Sequence, residues 1–231
     1  MRVLEVLVKK REGAVLDVGA NMGQTLVKFL ALNTDRGYYG FEPNAGAASV
    51  SRWILKLSRN SNAHLIPVGL SDSTTLARLR KRTDYDPGAT IVEEFRGEDY
   101  YSTSSFVPVY KGDDAVKDLE IEEVAVLKVD VEGGELEVLE GLLSTIEANR
   151  PYIICEILPI YDETSREGRK RRTRTDKVQA LLEERDYVIF RILKEGALER
   201  VGTEIETHGD LERCEYLFLP EESKDQVLPE L

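Results

Sequence analysis

Short apolar runs alternate with amphipathic stretches along most of this chain. Ala14 to Val18 is a mainly apolar run ending in Asp17-Val18-Gly19, and Leu26, Val27, Phe29, Leu30 and Leu32 predict a helix over 24–33. Tyr38 to Phe41 reads as a second strand, closed by Glu42-Pro43-Asn44. Val50, Trp53, Ile54 and Leu57 then recur at helical spacing. His64 to Leu70 reads as a third strand running into Ser71-Asp72-Ser73. Val124 to Val131, apolar except for Lys128 and Asp130, has the continuity of a buried parallel strand. Gly133-Gly134 breaks it before a helical face of Leu136, Leu139, Leu142, Leu143 and Ile146. Tyr152 to Ile157 is a fifth strand. A helix over about 176–184 leads to Tyr187–Leu193, and a last strand lies near Glu215–Leu219.

This alternation predicts an α/β fold, with a mostly parallel sheet, right-handed crossovers and helices on both faces. The final two strands, joined by a longer excursion, suit an antiparallel hairpin at one edge. Residues 1–231 are expected to form one domain: 14–157 the core, 158–231 the C-terminal sheet edge with a basic loop over 159–175. Two segments interrupt the pattern, Arg78 to Lys111 and Pro159 to Thr175. Both lie beyond the strand ends where open sheets bind ligands, and Tyr85–Tyr110 and Pro159–Thr175 within them are expected to be polar, mobile and poor in core residues.

Composition narrows the class. The 231 residues carry 31 basic and 43 acidic side chains, a net charge of −12, with 42% apolar residues. That balance supports a folded core and argues against binding nucleic acid or an anionic membrane over the whole surface. Two cysteines and two histidines leave no disulfide scaffold and no Cys/His zinc site. No apolar run is long enough to span a bilayer, and the cluster Lys9, Lys10, Arg11 follows apolar residues, the reverse of a secretory signal. A cytoplasmic location is the expectation.

Three segments carry candidate chemistry. The loop Asp17-Val18-Gly19-Ala20-Asn21-Met22-Gly23 joins a strand to a helix, where glycines let backbone approach a ligand. It lacks the third glycine of G-x-G-x-x-G, which disfavours a nicotinamide cofactor, and Asp17 suits an amine-bearing or cationic ligand. The bland alternative is an ordinary strand-helix turn. Glu42, at the end of the second strand, suits the hydroxyls of a ribose, or is simply an acid near a helix N-terminus. Asp72 could accept from an adenine amino group, though Ser-Asp-Ser is also a common turn. In Lys128-Val129-Asp130-Val131-Glu132-Gly133-Gly134-Glu135, period-two geometry puts Lys128 and Asp130 on one face. Such charges are costly to bury unless paired or used, so the choice lies between a catalytic carboxylate and a structural ion pair.

The ordered set V-L-D-V-G-A-N-M-G, G-F-E-P-N, P-V-G-L-S-D, L-K-V-D-V-E-G-G-E and R-P-Y-I-I-C-E resembles the FkbM family of S-adenosylmethionine-dependent methyltransferases, over about residues 14–157. The resemblance implies a Rossmann-like class I methyltransferase fold, a seven-stranded sheet with its last strand antiparallel. It implies methylation of a hydroxyl on a sugar, polyketide or related metabolite. Carried over, Asp17, Gly19, Ala20, Asn21 and Gly23 line the methionine end of the cofactor. Glu42 and Pro43 hold the ribose, Asp72 lies near the adenine, and Asp130 and Glu132 face the acceptor. Gly69 and Gly134 stand where relatives often have Ala, and residues 158–231 carry no signature of the family.

The chemistry then needs alignment, exclusion of water and a base for the acceptor hydroxyl. Asp130 is the candidate base or orienter, Lys128 holds its charge and position, and Glu132 and Glu156 are second choices. A magnesium or calcium ion on Asp130 and Glu156 is an alternative that is not favoured, because no Asp-Asn pair follows the fifth strand. No other metal site is expected. The basic run Arg166, Arg169, Lys170, Arg171, Arg172, Arg174 reads as a solvated loop or as a clamp for an anionic acceptor. The expected partner is a small-molecule or glycan acceptor, with no nucleic acid and no membrane. Two other classes remain open: a catalytically silent cofactor-binding module, and a nicotinamide enzyme.

Overall fold

A computed structural model describes all residues except Met1, Glu94 and Gly97; these three lie outside the described residues. Of the inserted segment 78–111, two positions are thus left out.

The chain opens with α1 (Arg2–Lys10), whose Val3, Leu4, Leu7 and Val8 are buried; the sequence reading had no helix here. β1 (Ala14–Val18), α2 (Gln24–Ala31), β2 (Tyr38–Phe41) and α3 (Ala45–Ser58) follow as expected. The expected third strand over 64–70 divides instead into β3 (Ala63–Ile66) and β4 (Gly69–Ser71). Pro67 stands between them, lacking the N–H a continuous ladder needs. β4 joins β5 (Thr75–Lys81) and β6 (Thr103–Lys111) in a separate three-stranded sheet, order β4-β6-β5. The inserted segment is therefore largely ordered, and Leu79, Phe95, Val107 and Val109 are buried within it.

α4 (Gly112–Asp118), β7 (Val124–Val129), α5 (Glu135–Gly141), α6 (Leu143–Asn149) and β8 (Tyr152–Glu156) lead to α7 (Arg166–Glu183). β9 (Tyr187–Ile192), β10 (Leu198–Arg200), β11 (Glu215–Pro220) and α8 (Lys224–Val227) complete the chain. The main sheet has eight strands in the order β10-β9-β11-β8-β7-β1-β2-β3. The β1, β2, β3, β7 and β8 pairings are parallel, whereas β11 runs antiparallel to both β8 and β9. The antiparallel last strand is the one expected; the eighth, β10, is a short addition at the edge.

Two apolar layers sandwich the sheet, because every residue of β1 is buried and alternate side chains point to opposite faces. Leu16 and Val18 join Leu139, Leu142, Ile146, Val178 and Leu182 from α5–α7 on one side. Val15 joins Leu4, Leu7, Leu26, Phe29 and Val227 on the other.

The basic loop expected over 159–175 is corrected by α7, which starts about ten residues earlier than the apolar spacing suggested. Ser165 caps it by accepting from the Gly168 N–H at 2.9 Å, and Arg and Lys have high helix propensity. Nor is the run merely solvated. Lys170 donates to the Glu93 carbonyl, Arg171 to Pro159 and Phe95, Arg172 to Ile205, and Arg174 to Gly133 and the Glu137 carboxylate. Among the described residues no helix is long and apolar enough to cross a membrane.

Candidate active site

The ends of β1, β2 and β7 meet at one cleft, of about 630 Å³ including space open to solvent. The loop after β1 is held from below: Gly19 and Ala20 each donate a backbone N–H to the Phe41 carbonyl at 3.0 Å. Gly19 has φ +84°, and a Cβ there would lie 1.8 Å from the Asp130 carbonyl oxygen. Glycine is therefore required where the end of β7 presses on this loop. Gly23, with φ +90°, precedes α2 and packs toward Ser51 and Ile54, away from the cleft.

Glu42 lines the cleft and is 7% exposed. Its Oε2 accepts from the Asn21 backbone N–H at 2.8 Å and its Oε1 from that of Asn44 at 2.7 Å. Each oxygen keeps a lone pair for a further donor. Burial pushes the carboxyl up to about 7 against the two N–H donors, which favour its charge. Beside it, neither polar atom of the buried Asn44 carboxamide finds a partner within the protein. Pro43, Phe41, Leu70, Leu79, Pro87 and Ile91 add an apolar lining.

Asp17 does not line the cleft. It is wholly buried behind the loop, where the Tyr38 hydroxyl donates to Oδ2 at 2.5 Å and Lys128 Nζ stands 3.6 Å from Oδ1. The expected direct contact with a ligand is replaced by a supporting role for Lys128. Gly40 makes this arrangement possible: a Cβ there would sit 3.1 Å from the Tyr38 hydroxyl oxygen. Burial raises the Asp17 pKa, while Lys128 and Tyr38 act the other way.

Lys128 also donates to Asp130 Oδ2 at 2.9 Å, so one ammonium bridges carboxylates from β1 and the end of β7. The same-face placement read from the strand period is therefore correct. Burial disfavours the Lys128 charge, but Asp130 and Asp17 more than offset it and the pKa rises. Burial likewise works against Asp130 ionising, yet Lys128 and a hydrogen bond from Glu156 hold its carboxyl below the usual range. Glu156 is raised by burial and by the Asp130 charge, and so keeps the proton of the pair. Glu132, with φ +54°, pairs with Arg96, and burial lifts it to about 7.

Carboxylate oxygens of Asp130, Glu132 and Glu156 lie within 4.8 Å of one another, a donor set of the kind hard cations take. Lys128 and Arg96 already balance much of that charge. Asp72 is exposed in the turn after β4, where Ser71 and Ser73 hydroxyls donate to it, and it is absent from the cleft lining.

The sequence reading put the inserted segment at the ligand-binding edge without singling out the residues that cover the cleft. Asp86, Pro87, Ala89 and Ile91 line it from the inserted segment. Asp86, 4% exposed, is fixed by the Arg82 guanidinium and by the N–H groups of Arg82 and Gly88. The Thr90 hydroxyl ties the segment to the Glu132 carbonyl at 2.8 Å. The only signal was the D-P-G turn at 86–88, which marks a turn but not its position.

A family model described as the methyltransferase FkbM domain matches residues 17–189, extending beyond the quoted motifs through α7 into β9. Among solved structures, a methyltransferase FkbM from Methylobacillus flagellatus KT is similar with a TM-score of 0.55 and 16% identity. The likeness covers 90% of this chain but 43% of that one, so this chain spans less than half its length. Cofactor-bound Rv0187 from MTB gives 0.51 at 10% identity, over 95% of this chain and 77% of that one. No curated protein sequence matches. At such identities the structural likeness speaks for the fold.

Proposed function

The chain belongs to the FkbM methyltransferase family, and from that premise we propose that it binds S-adenosylmethionine in this cleft and methylates a hydroxyl of a small-molecule or glycan acceptor. The observation that carries the reading is Glu42, a buried carboxylate fixed by two backbone donors with one free lone pair on each oxygen. That geometry suits the two vicinal hydroxyls of a ribose. The unpartnered Asn44 amide beside it and the apolar slot of Leu70, Leu79, Pro87 and Ile91 fit the remainder of a nucleoside. Gly19 and Asn21, which also line the cleft, would face the amino-acid end in this reading. The cofactor supplies an activated methyl group, so the chain's tasks are alignment, exclusion of water and handling of one proton.

Asp130 is the base in this reading. Lys128 keeps it ionised and oriented, and Glu156 returns a hydrogen bond to it. Asp130 would hold the proton of the acceptor hydroxyl, and the bound cofactor would supply the methyl group, its S–CH3 bond breaking as the O–CH3 bond forms and S-adenosylhomocysteine leaving. A nicotinamide reading has no support from the family match.

The test is calorimetry and thermal shift with S-adenosylmethionine, its demethylated product S-adenosylhomocysteine, and NADH. At a hundredfold excess over Kd, either adenosyl compound is expected to stabilise the fold by about 2.7 kcal/mol, and NADH not at all. A shift with NADH alone overturns the reading. Loss of turnover on chelation, with recovery on adding magnesium, replaces the simple base by a metal on Asp130, Glu132 and Glu156.

A further inference from the structure

Beside the cleft lies a second cavity that the reading above leaves unused. It encloses about 930 Å³, open in part to solvent, and its walls include Phe95, Arg96, Tyr100, Tyr161, Arg171 and Leu211. The ion pair of Arg96 with Glu132 stands at the boundary, since Glu132 lines the first cleft and Arg96 the second. A ligand here is one side chain away from the carboxylates at the end of β7.

The walls have a definite chemistry. Tyr161 is 61% and Leu211 64% exposed, so apolar surface faces an open space instead of a core. Arg171 lies over the Phe95 ring at 4.7 Å and the Tyr161 ring at 5.8 Å, and Arg96 lies over Tyr100 at 4.6 Å. Each terminal nitrogen of Arg171 spends one N–H on a carbonyl and keeps a second for a planar anion. Arg171 donates to the carbonyls of Pro159 and Phe95 and pairs with no carboxylate among the described residues. Burial and the nearby Arg96 charge hold its pKa below the usual value, and the acid that favours its charge, Glu132, is already paired with Arg96.

Among the described residues, two acids line the cavity, Asp162 and Glu167. Asp162 turns Oδ1 back to its own loop, accepting from the Thr164 N–H at 2.8 Å and the Thr164 hydroxyl at 2.6 Å. Glu167 is exposed, where water and salt screen it. The wall is also rigid: Gly168 packs so closely that a Cβ would lie 1.8 Å from the Asp162 carbonyl oxygen.

We propose that this cavity is the acceptor subsite and that it selects a hydroxylated ring bearing a carboxylate or phosphate group, the aromatic faces holding the ring and Arg171 the anion. The proposal rests on the methyl-transfer reading of the neighbouring cleft. It differs from the clamp considered in the sequence, because most of the basic run is tied into the fold, and within it Arg171 joins two rings without a carboxylate partner among the described residues.

The test uses the full chain saturated with S-adenosylhomocysteine, titrated with glucuronate, glucose 6-phosphate and uncharged methyl glucoside. Saturable binding of at least one anionic probe, at least tenfold tighter than methyl glucoside and weakening with salt, is expected. Tyr161→Ala, at an exposed position, and Arg171→Gln should each weaken the anionic probe five- to tenfold or more and leave S-adenosylhomocysteine affinity unchanged. The two anionic probes distinguish carboxylate from phosphate. Equal affinity for the uncharged sugar, no binding of either anion, or anion binding indifferent to both variants overturns the assignment. If S-adenosylhomocysteine itself fails to bind, the cofactor reading falls first, and the two failures are told apart.

Discussion

The two sides of the site are built by different means. On the side of β1 and β2, the functional groups are backbone-fixed: Glu42 is held by two main-chain N–H groups, and Gly19 by its contact with β7. On the side of the inserted segment and α7, long cations reach main-chain carbonyls far away in sequence, as Arg171 does at Phe95 and Arg174 at Gly133. Strand ends positioned by ladders cannot shift without unpairing the sheet. Side-chain ties can be exchanged one at a time. A reaction with one fixed cofactor and a variable acceptor suits that division.

The comparison is broken most severely at the junction of the two sides. Asp130→Asn keeps the shape of the side chain and removes its charge, and turnover of a confirmed acceptor should fall by about 100-fold or more. S-adenosylhomocysteine affinity, measured by calorimetry, should change little; an equal loss in both would make Asp130 part of the cofactor side. Next in size, Glu42→Ala should weaken S-adenosylhomocysteine by roughly 10- to 100-fold, the range for hydrogen bonds to a charged group, while circular dichroism shows an intact fold.

A smaller effect sharpens the same point through pH. Glu42 accepts from hydroxyls best when ionised, and its carboxyl sits at about 7 because of burial. Affinity for S-adenosylhomocysteine should therefore fall as pH drops below 7, by at most about tenfold per pH unit for one proton, and Glu42→Gln should flatten the profile. The smallest effect concerns Glu135, which lies at the start of α5 and accepts from the Gly133 N–H at 2.9 Å. Burial raises it to about 7 from an ordinary 4.5. The stabilisation from its neutral form is complete below about 4.5 and is lost as pH rises through 7. The melting temperature should thus fall between about pH 4.5 and 7 and level off above that, and Glu135→Gln should reduce that fall by roughly 2–4 °C for each kcal/mol removed.

The same division explains what could be read before folding. Strands with continuous apolar runs, β1, β2, β7, β8, β9 and β11, follow from hydrophobicity alone, and Glu42 and Asp130 follow from standing at strand ends. Asp17 was misplaced because a motif gives the residue and not the direction of its side chain. Its burial and its contacts with the Tyr38 hydroxyl and Lys128 show that Asp17 faces inward. Asp72 stands outside the cleft lining, in a turn where Ser71 and Ser73 both donate to its Oδ1, a local arrangement the Ser-Asp-Ser sequence already offered. The inserted segment and the start of α7 were illegible because polar residues carry no periodic signal. Their order comes from contacts such as Lys170 with Glu93, 77 positions apart, which no local window contains.

The position of β11 has a consequence for how the chain is made. It lies between β8 and β9, so the last long strand in sequence is an interior strand of the sheet. On a ribosome, β8 emerges with Ile153, Ile154 and Cys155 on an open edge, and β9 follows with no place to dock beside it. Both wait for Tyr216, Leu217 and Phe218, all without exposure in the folded protein. Until then β8 is a bare apolar edge, open to mispairing with another nascent chain. A chain stopped before residue 215 keeps every residue that lines the cleft at the ends of β1, β2 and β7, yet lacks the strand that joins β8 to β9.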